Sequence, residues 1–228
     1  MQINDPEYTV ISSRPVGLEA SMVLRKTYLL LSLTILFSAV AAMLPMFGLL
    51  PIVYSPLLCI VGMFALLFIA QSTSHSEWGV FWTFAFTGFM GYTLAPTLLY
   101  YLSAYSNGLA LITMSLFCTA VVFMALSVYT VYSGADFSYL GGMLFVGITT
   151  ALLLSIAGMF WQVEWFSVIV AGFFMLIVSG LIMFRTSLIV NGGERNYVLA
   201  TIGLYVSILN LFLSILRILG FLAGSRRN

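Results

Sequence analysis

The sequence predicts an all-α integral membrane protein: seven transmembrane helices, with the C-terminal helix central in the bundle. Three observations carry this. Of 228 residues, 62% are hydrophobic and 7% charged, whereas soluble domains carry roughly 25% Asp, Glu, Lys and Arg. Seven apolar stretches approach the ~20 residues that cross a hydrocarbon core of ~30 Å. The last of them, "ATIGLYVSILNLFLSILRILGF" from Ala200 to Phe221, carries a polar stripe in an otherwise lipid-compatible run.

The elements follow in order. Residues 1–22 read as a flexible cytoplasmic N-terminal tail and 23–228 as the seven-helix domain; Pro, Ser and mixed charge with little apolar periodicity favour disorder in the leader. Asp5, Glu7, Arg14 and Glu19 make it unlike a signal peptide. The first span is expected at Thr27 to Phe47, closed by Gly48 and Pro51, and the second at Ile52 to Gln71, closed by "STSHSE". The third, Trp78 to Tyr101, opens on Trp78 and Trp82 and carries the small-residue stripe Thr87, Gly91 and Ala95. The fourth, Leu109 to Tyr132, lies between "SAYSNG" and "SGADFS". The fifth, Tyr139 to Phe160, has a second stripe of Gly147, Ala151 and Ser155, and Trp161 and Trp165 flank the link "WQVE". Small residues at four-residue spacing let helices approach closely in lipid, and indoles settle at the headgroup level. The sixth span runs from Trp165 to Phe184; the link "RTSLIVNGGERN" then leads to the seventh, Val198 to Leu222, which Asn196 is placed to cap.

Orientation follows from Lys and Arg. Arg14, Arg25 and Lys26 precede or open the first span, Arg185 and Arg195 flank the last link, and the links after the first, third and fifth spans have none. The N-terminus is therefore expected in the cytoplasm. Arg226 and Arg227 would lie outside if all seven helices cross; the alternative is a last segment that re-enters and returns, and seven crossings are favoured.

At 100° per residue, Gly203, Ser207, Asn210, Ser214 and Arg217 fall within an arc of about 80°. Such a face belongs against other helices or a water-filled cleft, which puts the seventh helix in the middle. Arg217, near the helix end, can also snorkel to the interface.

Other chemistry is poorly supplied. A net charge of +1 without a basic patch speaks against nucleic acid. Cys59 and Cys118 sit in apolar runs and read as small buried hydrophobes. Asp5, Glu7, Glu19, Glu77, Asp136, Glu164 and Glu194 fall in the tail, in links or at helix edges, and His75 is alone in a loop. The expectation is no metal, no cofactor, no catalytic constellation and no enzyme.

Three segments, "FTGFMGYTLAPTLLYYLSA", "LITMSLFCTAVVFMALS" and "FRTSLIVNGGERNYVLATIGLYVSILNLFLSIL", resemble the Bax-inhibitor (transmembrane Bax inhibitor motif) family, specifically its bacterial YccA-like branch. The resemblance runs from Val23 onward, with Ala95 where the family commonly has Gly before the proline. It implies seven helices with the last wrapped by the other six, in the bacterial inner membrane. It also implies a cation leak, chiefly of calcium, gated by two aspartates, one closing the sixth helix and one in the last. Those positions read Arg185 and Ser207 here, so both carboxylates are replaced. A fixed positive charge repels a divalent cation by roughly 8 kcal/mol at ~4 Å and an effective dielectric of 20. The YccA-like branch implies a different partner, the membrane-anchored protease FtsH with HflK–HflC, for which the chain would be a substrate and modulator. Three readings stay open: an FtsH modulator, a cation leak along Ser207, Asn210 and Ser214, and a polar stripe that is only interhelical glue.

Overall fold

The computed structural model describes residues 17–51, 55–160 and 164–224. Most of the N-terminal tail, including Asp5, Glu7 and Arg14, lies outside the described residues, as do Trp161, Arg226 and Arg227. The described chain forms seven helices: α1 Leu18–Met46, α2 Pro56–Ser72, α3 Trp78–Ala104, α4 Gly108–Ser133, α5 Leu140–Phe160, α6 Glu164–Val190 and α7 Tyr197–Ala223. Five of them, α1, α4, α5, α6 and α7, are long and apolar enough to cross a membrane. With 17 residues, α2 is about 25 Å long at about 1.5 Å per residue. Length is ample in α3, but Thr, Gly, Tyr and Trp dilute its apolar content.

Two helices are longer than the sequence pattern predicts by six residues or more. Nine residues before the expected span, α1 begins at Leu18, because "LEASMVLRK" is made of strong helix formers and Glu19 sits in the first turn at the positive end of the helix dipole. Six residues of the supposed link extend α6 to Val190. The reason is burial: Thr186, Ser187 and Ile189 are fully buried, so "TSLIV" packs inward instead of looping out. The helix ends only at Gly192, whose φ of 76° suits glycine, with Gly193 N–H donating to Leu188 O at 2.8 Å.

Ser187 also fastens the α4–α5 link. Its hydroxyl accepts from Phe137 N–H at 2.9 Å and from the Asn191 amide at 3.0 Å, and donates to Ala135 O at 3.1 Å. In the same link the Asp136 carboxylate accepts from the hydroxyl and backbone N–H of Ser138, which hold its pKa below the usual carboxylate range. Ser187→Ala leaves the buried Phe137 N–H and the half-buried Ala135 carbonyl without this partner and should cost about 1–3 kcal/mol. Hydrogen exchange should report it as faster exchange at Phe137, with the amides of α7 unaffected.

The helices meet through small and hydroxyl residues. On α3, Thr87 and Ala95 are fully buried and Gly91 faces α1. On α5, Ala151 is fully buried, and a Cβ at Gly147 would touch Ile177 of α6 at 3.2 Å. The last helix packs against α1, α3, α4 and α6. Buried residues make up 72% of its apolar window, against 39% in α1 and 28% in α6. Its N-terminus is capped as the sequence predicts: Asn196 Oδ1 accepts from Val198 N–H at 2.9 Å and Leu199 N–H at 3.3 Å. The amide nitrogen of Asn196 donates to Ser74 O at 3.1 Å, which ties the α2–α3 link to the α6–α7 link at one end of the bundle. Lys26, near the start of α1, lies over the Tyr197 ring at that same end.

Candidate functional site

The polar set of α7 does not act as one continuous track. At its N-terminal end, Gly203 gives up its side-chain volume to Arg185 of α6. A Cβ at Gly203 would collide with Nη1 of Arg185 and lie 2.5 Å from its Cζ. Only glycine lets the guanidinium rest on the helix backbone there. The Arg185 Nε is buried and has no hydrogen-bond partner. One turn further on, buried Ser207 donates its hydroxyl to Gly203 O at 3.0 Å. The two positions where the family resemblance implies aspartates thus meet around one turn of α7, and what they present is a guanidinium and a self-satisfied hydroxyl.

The C-terminal half is arranged differently. Asn210 and Ser214 from α7, with Arg217, line a cavity of about 160 Å³ together with Ser155 of α5 and Ala171 and Phe174 of α6; Leu213 completes the wall. Asn210 commits one amide hydrogen to Val206 O at 2.8 Å. Ser214 is buried, whereas Arg217 is exposed. Gly203 and Ser207 are not part of this cavity. Gly203 and Arg217 are 14 positions apart in sequence, about 21 Å of helix, so a guanidinium stands near each end of the stripe.

Sequence reasoning missed a polar contact that joins three helices. Tyr205 of α7 is buried; its hydroxyl donates to Thr87 O of α3 at 3.1 Å and sits 2.6 Å from Ser38 Oγ of α1. A tyrosine in an apolar run reads as an interface aromatic. The available signal was the hydroxyl spacing of α1, since Thr27, Thr34 and Ser38 are all buried.

Among the described residues, no acidic side chain lines the cavity beside Asn210 and Ser214. Glu19, Glu77 and Asp136 are exposed, and half-buried Glu194 accepts from Asn196 N–H at 2.9 Å. Among the described residues no three His, Cys, Asp or Glu side chains gather where they could hold a metal ion.

The family described as "Inhibitor of apoptosis-promoting Bax1" matches residues 20–224. "Modulator of FtsH protease YccA" of Escherichia coli (strain K12) is 45% identical over 210 residues, covering 90% of this chain and 92% of that protein. "Inner membrane protein YccA" of another Escherichia coli strain, O6:H1, matches with the same identity and coverage. An uncharacterized protein of Pseudomonas aeruginosa is 39% identical over 222 residues, covering 97% of this chain and 99% of its own length. The chain is a membrane protein of the Bax-inhibitor family and belongs to its bacterial YccA-like branch.

Proposed function

We propose that this protein is a non-enzymatic substrate and modulator of an FtsH-type membrane protease and its HflK–HflC partners, crossing the inner membrane seven times around a central α7. The observation that carries the reading is 45% identity along 90% of the chain with a protein named as a modulator of that protease. The bundle's geometry supports it from another side. A conducting path for divalent cations needs hard oxygen ligands at depth to replace lost water. Here Arg185 lies on α7 at Gly203 and Arg217 sits near its far end. Modulating a protease asks nothing of buried carboxylates. It needs a stable bundle and an accessible segment that the protease can engage.

A cytoplasmic N-terminus is part of this proposal. The contacts between Asn196 and Ser74 and between Lys26 and Tyr197 gather the α2–α3 link, the α6–α7 link and the start of α1 at one end. That end carries Arg25, Lys26, Arg185 and Arg195, the charge bias of a cytoplasmic face. The tail would then lie on the side where an AAA protease works. Deleting residues 1–20 should lengthen the protein's half-life in cells severalfold and change the turnover of other substrates of the protease. Pulse-chase on both would read it, and unchanged decay of both would remove the tail from the account.

The second reading, a cation leak along Ser207, Asn210 and Ser214, draws its support from the cavity beside the last two of these. Proteoliposome flux of the natural protein against Asn210→Leu separates the two readings. The modulator predicts the same negligible flux in both, the leak a clear flux lost on substitution.

A further inference from the structure

The cavity between α5, α6 and α7 has a composition that a protease modulator does not require. Among the described residues its polar lining comprises Ser155, Asn210, Ser214 and Arg217, its apolar lining Ala171, Phe174 and Leu213, and none of these is acidic. The two serines differ from most other helix hydroxyls in this bundle. Ser115, Ser179 and Ser207 each donate to the carbonyl four residues back, which removes the need for any other partner. No such bond is formed by Ser155 or Ser214 in the described structure, so both hydroxyls remain available to a guest.

Position fixes the depth. Arg217 lies six residues before the end of α7, Ser155 five before the end of α5, and Ala171 seven after the start of α6. At about 1.5 Å per residue each is about 7–11 Å from its helix end, the depth at which a guanidinium reaches headgroup level. Asn210 is one further stretch of about 10 Å below Arg217. The crevice therefore descends from a cation at the interface, past two hydroxyls, to an amide among apolar walls. Next to it, Leu152 and Ile156 of α5 and Leu176 of α6 are exposed, the kind of surface acyl chains cover.

The geometry points to a binding site for the headgroup of an anionic phospholipid, with the phosphate on Arg217 and the glycerol region against Ser155 and Ser214. Arginine is the side chain suited to a phosphate fork. A volume of about 160 Å³ is close to the ~150 Å³ of a protein cavity that takes up benzene. That suits a phosphate and part of a glycerol, and is more than a single dehydrated metal ion needs.

The test is the melting temperature of the full-length protein in neutral detergent, titrated with phosphatidylglycerol, phosphatidylcholine or inorganic phosphate. Phosphatidylglycerol alone should raise Tm by several degrees at low mole fraction. Arg217→Gln should weaken the half-maximal effect about tenfold, and Ser155→Leu should do the same by filling the cavity while leaving every charge in place. If Arg217→Gln fails to fold, Ser155→Leu with native Arg217 still gives the answer. Equal responses to both lipids, or a phosphatidylglycerol response untouched by Ser155→Leu, overturn the assignment. So does protection by inorganic phosphate equal to that by the lipid, which would make the ligand a free anion.

Discussion

Gly91→Ala should destabilise the bundle by about 3 kcal/mol, near the upper end of what overpacking costs. A Cβ at Gly91 overlaps the Ser38 carbonyl oxygen and lies 2.8 Å from its carbon. Both obstacles are backbone atoms of a helix, so no rotamer change relieves them. The two helices must separate, and the separation stretches the Ser38 to Tyr205 contact, which joins α1 to α7. One methyl thus loosens three helices. Gly142→Ala is the control, because an added Cβ there meets nothing within 4 Å. Thermal unfolding in detergent should show a large drop in Tm for Gly91→Ala and little change for Gly142→Ala. Equal melting of the two variants would mean that α1 and α3 do not touch as described.

Replacing Arg185 and Ser207 together by Asp should let divalent cations enter the bundle. The substitution removes one positive charge and adds two negative ones around a single turn of α7. Each unit charge acts on a divalent ion by roughly 8 kcal/mol at ~4 Å and an effective dielectric of 20. Calcium entry into dye-loaded proteoliposomes should stay at the empty-vesicle level for the natural protein and rise well above it for Arg185→Asp with Ser207→Asp. Arg185→Met alone supplies the internal comparison. It removes a buried guanidinium whose Nε has no partner, so it should hold or raise Tm without opening a path.

Much of this was legible in the sequence, and what was not has physical reasons. The seven helices, the Asn196 cap and the small-residue stripes follow from apolar run length, turn residues and spacing, which are local signals. The end of α6 was not legible, because "RTSLIV" looks like a polar link until Ser187 is seen to bond the α4–α5 link some 50 residues earlier in the chain. The polar stripe of α7 lies on one arc in the sequence, yet the structure divides it. Arg185 takes Gly203 for itself, and Ser155 of another helix joins Asn210, Ser214 and Arg217. Periodicity reports which residues share a face but not which partner each part of that face meets. The Tyr205 contact was missed for the same reason, since its partners are 118 and 167 residues away.

The central claim is that this chain works on a membrane protease and not on an ion. Affinity purification of the tagged full-length protein from gently solubilised inner membranes tests it most directly. The account predicts that the FtsH-type protease and HflK–HflC co-purify in stoichiometric amounts and that removing residues 1–20 reduces the yield. Purification of the bare protein, coupled with calcium flux from that same preparation, would contradict it.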